Sequence, residues 1–180
     1  MKTSFYTPEE LAQIGLKSYG ENVRISRYAQ IYSPEKISIG DNVRIDDFCI
    51  LSGNITIGSH IHIAAYCALY GANYGIVMED YTGLSASATI YAAMDDFSGD
   101  YLIGPIHDSN VTNVMEGAVQ ICKYAQIGAG GLVFPSVCVG EGAVLGAMSM
   151  AKQSLEPWNI YAGIPAKKIK QRNERLLDLI

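Results

Sequence analysis

The sequence predicts an all-β fold in which short parallel strands stack as triangular coils. The first observation is an aliphatic residue at every sixth position over long stretches of the chain. The second is that small or β-branched residues recur four places after many of these positions. A period of six matches neither the helical repeat nor the two-residue alternation of a simple strand. It indicates a repeat in which each unit supplies one short strand and one turn.

The repeated unit also explains how such a fold buries its core. Three units complete one coil of about 18 residues, whose aliphatic side chains point to the axis of a prism. One coil cannot bury its own apolar face, so many coils must stack, and we expect about five here. The aliphatic positions are Ile25, Ile31, Ile39, Ile45, Leu51, Ile57, Ile63, Leu69, Met78, Leu84, Ile90, Ile121, Ile127, Val133, Val139 and Leu145.

Length and composition limit the classes of protein to consider. The 180 residues suffice for one domain, residues 1–180, with a substantial core. The net charge of −5 and the lack of a basic stripe argue against a nucleic-acid partner. No long apolar run and no signal-peptide pattern are present, so we expect a cytoplasmic protein without a membrane span. The four cysteines lack the spacing of a zinc site or a disulfide framework, so no metal is expected.

Residues 1–20 precede the repeat and are expected to cap its open end, because stacked repeats need caps. Thr7, Pro8 and Glu10 form the pattern of a capping box with proline at the first helical position. The pattern predicts a short helix from Pro8 to about Ile14.

His62 is the first candidate for a general base. Ile61 and Ile63 point inward in the predicted coil, so His62 points outward from a wall. The unperturbed pKa of a histidine side chain lies near working pH, which suits proton transfer. The alternative is a surface histidine without a chemical role.

Two neighbouring acidic residues lie in the coil before His62. Asp46 is expected to be a solvated corner residue. Asp47 is left open between such a corner and a carboxylate that orients an imidazole or holds an acceptor hydroxyl.

Residues 91–117 interrupt the period of six and form a long loop. A loop of this length in a compact repeat domain is usually functional. His107 is the second candidate base, with a solvated loop histidine as the alternative. Asp96 is a candidate to orient a base or bind an acceptor, and Asn113 is a candidate polar contact. Tyr91, at the start of the loop, belongs to a set of tyrosines that could contact a sugar or simply cover a wall.

On these repeats the chain resembles the left-handed parallel β-helix (hexapeptide-repeat) acyltransferases. It is most similar to the sugar O- or N-acetyltransferases of surface-polysaccharide clusters, such as those for lipopolysaccharide O-antigen. The ending SLEPWNIYAGIPAKKIKQR resembles the family's tail, in which a Pro-containing turn and a G-x-P-A-K stretch lead to a final helix. We expect that helix over residues 166–180, docked through Leu176, Leu177 and Ile180.

The resemblance implies two substrates held between the subunits of a homotrimer. Acetyl-CoA would lie along the late coils, where Gly128, Ala129 and Ala147 let a ligand approach the backbone. The basic residues that match phosphate-binding positions of relatives, or are otherwise solvated charges, are Lys152, Lys167 and Lys170.

The same resemblance places the long loop at the acceptor. Several relatives have their catalytic histidine where this chain has Asp95 and Asp96, so that role cannot simply be carried over. The expected acceptor contacts are Asp47, Tyr91, Asp95 and Asn113.

The expected reaction is acetyl transfer from acetyl-CoA to a sugar hydroxyl or amine by direct attack in a ternary complex. An antibiotic acceptor is an alternative, because xenobiotic acetyltransferases share the fold. A zinc lyase of the γ-carbonic-anhydrase type needs three converging histidines, a pattern that His60, His62 and His107 do not fit. A non-catalytic scaffold would need neither the long loop nor the G-I-P-A-K tail.

Overall fold

Short strands follow the predicted period of six along the chain in the computed structural model, which describes residues 4–179. The helical segments are α1 (Pro8–Gln13) and two 3-10 helices, η1 (Pro34–Lys36) and η2 (Arg175–Leu179). The strands are β1 (Ser18–Tyr19), β2 (Arg24–Ile25), β3 (Gln30–Tyr32), β4 (Ile37–Ile39), β5 (Val43–Ile45), β6 (Ile50–Ile57), β7 (Ile61–Ile63), β8 (Ala68–Met78), β9 (Gly83–Leu84), β10 (Thr89–Tyr91), β11 (Ala93–Asp95), β12 (Val114–Glu116), β13 (Val119–Ile121), β14 (Gln126–Ile127), β15 (Leu132–Val133), β16 (Cys138–Val139), β17 (Val144–Leu145), β18 (Met150–Ala151), β19 (Asn159–Ala162) and β20 (Lys167–Gln171).

The strands form the three walls of a left-handed parallel β-helix, as predicted. Wall A contains β3, the first part of β6 and of β8, β10, β15 and β18. Wall B contains β1, β4, the last part of β6 and of β8, β13 and β16. Wall C contains β2, β5, β7, β9, β14, β17 and β19.

The stack is taller than the expected five coils, because strands also form where the period of six is incomplete. Within residues 4–179, wall A has six rungs and wall C has seven parallel rungs. The pairing is in register, so that Ile63 lies opposite Ile45 in the coil below and opposite Leu84 in the coil above.

The predicted inward column forms the core. Its members are at most 4% exposed, except for Ile31, which is partly buried and packs against the core. Apolar burial along this axis is the main stabilising term of the fold.

The short amino-terminal helix predicted from the capping box forms as α1. Thr7 accepts a hydrogen bond from the Glu10 N–H while the Glu10 carboxylate accepts one from the Thr7 N–H, so the capping box is formed. Leu11 joins the core cluster, and the Arg27 guanidinium donates to the Glu10 carboxylate.

The predicted carboxy-terminal helix over residues 166–180 is wrong. β20 pairs antiparallel with β19, and η2 follows it. The open edge of β19 presents unpaired backbone groups, and pairing with β20 satisfies them. Leu176 is partly buried and Leu177 is exposed, whereas Ile180 lies outside the described residues.

Residues 91–117 form an excursion from the prism between walls A and B. Its stem is the antiparallel pair β11–β12, in which Met94 lies opposite Met115. Many of its apolar side chains are exposed, including Phe97 at 67% and Ile106 at 86%. Gly71–Gly75 lies within β8, where the register of β8 with β6 shifts. No helix within residues 4–179 is long and apolar enough to cross a membrane.

Candidate active site on wall C and the excursion

His62 lies on wall C and points outward, as predicted. Its Nε2 is 2.7 Å from Oδ2 of Asp46, and the Nε of Arg44 donates to Oδ1 of the same carboxylate at 2.7 Å. The expectation that Asp46 is a solvated corner residue is therefore wrong. Its side chain is only 18% exposed, and each carboxylate oxygen contacts a side chain, Arg44 or His62. The contact crosses between neighbouring coils, where Arg44 and His62 lie opposite each other.

This arrangement defines what His62 can do. Burial raises the pKa of Asp46, but hydrogen bonds from His62 and Arg44 outweigh it and hold that pKa below its usual range. An ionised carboxylate only accepts hydrogen bonds, so the neutral imidazole must carry its proton on Nε2. Nδ1 then keeps a free lone pair and is the atom able to accept a proton from a substrate.

A groove of about 440 Å³ runs beside His62 on wall C. Its floor is Gly83, which lies opposite His62 in the coil below and opposite Gln126 in the coil above. The groove is lined by His60, His62, Ala64, Tyr81, Thr82, Gly83, Leu84, Ser85, Ala86 and Gln126.

The excursion holds a second group of the predicted residues. Asp96 accepts hydrogen bonds from the Ser98 N–H and from Nδ2 of Asn113, both at 2.8 Å, and the pKa of Asp96 is lowered by these contacts. Asp95 accepts a longer hydrogen bond, 3.3 Å, from the Gly104 N–H. His107 is exposed and has no hydrogen-bond or ion-pair partner among residues 4–179.

The two groups do not meet within one chain. The excursion starts after β10 on wall A, whereas His62 lies on wall C. Tyr91, at the base of the excursion, stacks on Tyr70 with ring centroids 5.0 Å apart, and burial raises the pKa of Tyr91. Asp47 accepts a hydrogen bond from the buried Ser26 hydroxyl, so it ties two coils together.

The small residues predicted to approach a coenzyme lie along one edge of the late coils. Gly128 lies so close to Ala147 that a Cβ on Gly128 would be 2.5 Å from the Ala147 nitrogen. Ala129 accepts a hydrogen bond from the Met148 N–H, one coil further on. The edge therefore offers a narrow, backbone-lined surface.

The predicted lysines lie nearer the carboxy-terminal end of the prism. Lys152 and Lys167 line a cavity of about 450 Å³ above the core. Lys152 also lines an apolar cavity of about 650 Å³ beneath the excursion, and its Nζ is 5.6 Å from the centre of the Phe134 ring. Lys170 is exposed on β20, opposite Ile160.

The cysteines lie in the core or on the walls, as expected. Cys49 and Cys67 are fully buried, and the sulfur atoms of Cys122 and Cys138 are 3.6 Å apart. Burial raises the pKa of Cys122 to about 12. No three His, Cys, Asp or Glu side chains group as metal ligands in residues 4–179.

Residues 36–71 match the family model described as bacterial transferase hexapeptide (six repeats). The chain is 43% identical over 173 residues to the dTDP-4-amino-4,6-dideoxy-D-glucose acyltransferase of Escherichia coli, covering 94% of this chain and 90% of that protein. The chloramphenicol acetyltransferase of Klebsiella aerogenes is 46% identical over only 46 residues, 26% of this chain and 22% of that one.

The fold also matches crystal structures of AntD, an N-acyltransferase from Bacillus cereus. A serine variant of AntD in complex with dTDP-4-amino-4,6-dideoxyglucose and coenzyme A has a TM-score of 0.98 and 52% identity, covering 99% of this chain and 96% of that chain. AntD with dTDP and 3-hydroxybutyryl-CoA has a TM-score of 0.97 and 53% identity, covering 99% and 95%. The variants include replacements of one serine and one aspartate, ten residues apart in that chain.

Proposed function

The chain belongs to the hexapeptide-repeat acyltransferases, and from this we propose that it acylates the amino group of a nucleotide-linked 4-amino-4,6-dideoxy sugar. The acyl donor is an acyl-CoA thioester. The observation that carries the proposal is identity of 43% to 53% over nearly the whole chain with two acyltransferases named or crystallised with this sugar or its nucleotide. The antibiotic alternative has weaker support, because that likeness covers about a quarter of the chain.

The reaction joins the acceptor nitrogen to the thioester carbonyl carbon and breaks the carbon–sulfur bond. The amine loses one proton, and the coenzyme A thiolate leaves and becomes the thiol. His62 is the proposed base, because Asp46 fixes its ring and leaves Nδ1 free for the proton. His107 remains the second candidate, and Asp96 the candidate that positions a base or the acceptor from the excursion.

Ser85 and Asp95 are further candidates for contact with the reacting amine. They are ten residues apart, like the serine and aspartate replaced in AntD, and the two chains match almost from end to end. Ser85 lines the groove beside His62, and Asp95 lies on the stem of the excursion. Ser85 was not among the residues expected from the sequence, because a wall serine in a repeat has no distinguishing spacing.

The coenzyme is proposed to lie along the edge of Gly128, Ala129 and Ala147, with its phosphates toward Lys152, Lys167 and Lys170. The close packing at Gly128 supports this position, because a flat backbone surface admits an extended chain. The cavity that Lys152 and Lys167 share supports the phosphate end.

The acceptor is proposed to contact Tyr91, Asp95 and Asn113 on the excursion. Asp47 is proposed to act indirectly, because its hydrogen bond with Ser26 holds two coils of the wall together. Because the excursion and His62 lie on different faces, a complete site needs a second copy of the chain. We therefore propose a homotrimer in which the excursion of one subunit covers the groove of its neighbour. The exposed apolar side chains of the excursion support such a contact. We place the enzyme in the cytoplasm, where it would supply an acylated sugar for surface polysaccharide such as O-antigen.

The test is release of coenzyme A thiol by the purified full chain. The acyl donors are acetyl-CoA and 3-hydroxybutyryl-CoA, and the acceptors are dTDP-4-amino-4,6-dideoxyglucose, dTDP-glucose and chloramphenicol. Rapid release only with the amino sugar, with a product heavier by one acyl group, is the expected result. Turnover of chloramphenicol alone, or of no acceptor, would overturn the proposal.

A further inference from the structure

We propose that the groove over Gly83 is the subsite for the sugar ring of the acceptor and that Gln126 determines its specificity by accepting a hydrogen bond from the sugar. This inference rests on the proposed function. Gln126 has no role in that proposed function.

The groove exists because a glycine interrupts the outward column of wall C. His62, Gly83 and Gln126 occupy equivalent positions in three successive coils. The outer two have polar side chains and the middle one has none, so a notch is left between them. Its depth is one side chain and its floor is backbone.

The amide of Gln126 has a fixed orientation above this notch. Its Nε2 donates to the Tyr81 carbonyl at 3.2 Å, and a carbonyl can only accept a hydrogen bond. Oε1 must therefore face the other way, toward the notch, where a Cβ on Gly83 would lie only 2.5 Å from it. No donor reaches Oε1 from the described part of the chain, so it is available to a ligand hydroxyl or amine.

The lining of the groove has the chemistry of a sugar site. It combines the amide of Gln126, the exposed hydroxyl of Ser85 and the imidazole of His62. One flank is aromatic, where His60 and Tyr81 stack with centroids 4.6 Å apart. Among the described residues, no Asp, Glu, Lys or Arg lines the groove, which fits a sugar ring and not the phosphates of a coenzyme.

The phosphates of the acyl-CoA are proposed to bind elsewhere on the prism. Lys152 and Lys167 line the cavity at the far end of the prism, and Lys152 follows β18, which lies two coils beyond β10. The two cavities thus separate a subsite with a polar, uncharged lining from one lined by two lysines. Because His62 also lines the groove, a sugar bound there would lie beside the proposed base, which the reaction requires.

The experiment compares Gln126→Leu and Gly83→Ala with a matched control, Gln120→Leu. Gln126→Leu removes Oε1, whereas Gly83→Ala displaces it with a methyl group that the flexible amide can yield to. Gln120 is also an outward wall glutamine, and its amide donates to Glu79 at 2.6 Å. Thermal melts by circular dichroism establish that all three variants are folded.

The affinity for dTDP-4-amino-4,6-dideoxyglucose is measured by titration calorimetry without donor, and KM for both substrates is measured by thiol release. Both groove variants are expected to weaken acceptor binding about five- to tenfold, the size of one lost hydrogen bond, with KM for the acyl-CoA unchanged. Gln120→Leu should change neither value.

Unchanged acceptor affinity in Gln126→Leu would overturn the inference, as would a rise in KM for the acyl-CoA alone, which would place the donor in the notch. If the wild type binds and acylates the amino sugar while Gln126→Leu matches it, only this inference fails. If the wild type neither binds nor acylates any amino sugar, the proposed function fails and the sugar subsite fails with it.

Discussion

The walls of the prism and the excursion of residues 91–117 differ in how far their apolar side chains are buried. The inward residues of the walls, such as Leu51 and Ile90, are fully buried by the coils above and below. The excursion leaves Phe97 and Ile106 largely exposed. The inward column is therefore buried within one chain, whereas the excursion has the composition of a surface that another molecule covers. A site built from both regions has one part that is fixed within a single chain and another part that forms only when subunits assemble.

The largest expected effect tests the burial side of this comparison. Leu51→Ala should lower the free energy of unfolding by about 2–5 kcal/mol, because it leaves a cavity in the core. Ile106→Ala is the matched control and should change it by less than about 0.5 kcal/mol in the monomer. Urea unfolding followed by circular dichroism measures both. A concentration-dependent loss of stability in Ile106→Ala would show that the excursion is buried between copies.

The next effect concerns the two histidines, one in each region. His62→Ala should lower kcat at least about a hundredfold, because a positioned general base contributes that much. His107→Ala should remain within a few-fold of wild type, since no side chain among residues 4–179 holds the imidazole in place. Steady-state thiol release with the amino-sugar acceptor measures both. The reverse ranking would move the chemistry to the excursion.

A smaller effect compares Asp46 on the wall with Asp96 on the excursion. Both carboxyls have a lowered pKa in the folded state, so their stabilising contribution is present above the ordinary pKa and is lost as the pH falls through the folded value. Between about pH 5 and pH 3, wild type should therefore lose more thermal stability than Asp46→Asn does. Asp96→Asn should follow wild type closely, because an exposed carboxylate is well screened. Equal pH profiles for wild type and Asp46→Asn would contradict the coupling of Asp46 to His62 and Arg44.

The smallest effect concerns the lysine at the boundary of the two regions. Lys152→Ala should raise KM for the acyl-CoA about two- to fivefold, and the difference should shrink at high salt because a phosphate contact is electrostatic. Lys36→Ala, at the opposite end of the prism, is the control and should leave KM unchanged. A salt-independent change in Lys152→Ala would point to lost packing on Phe134 instead.

The inward column could be predicted because it depends on a local period, from Ile25 to Leu145. The contact of Asp46 with His62 could not, because it joins two coils and depends on their relative register. A signal was nevertheless present: His62 follows Arg44 by 18 residues, one full coil, so the two side chains had to be neighbours. The pairing of Gln126 with Gly83 could not be predicted for a different reason. The excursion lies between the two residues in the chain, so their separation is not one coil of 18 residues.

The carboxy-terminal segment was mispredicted for a non-local reason. Residues 167–171 have no strong pattern of their own, and the edge of β19 decides their conformation. Sequence periodicity indicates which side chains of a segment are buried. It does not show that a strand elsewhere in the chain has unpaired backbone N–H and C=O groups with which the segment can pair.

That same antiparallel strand has a consequence for the protein in concentrated solution. A parallel β-helix ends in a row of unpaired amide and carbonyl groups, and another prism could add to it coil upon coil, as subunits add to a fibril. On wall C, β20 runs against the direction of all the rungs below it and so ends the series. Its lysines at 167, 168 and 170 add like charges that would repel an incoming strand. On this wall, the strand that resembles no part of the repeat thus determines where the repeat ends.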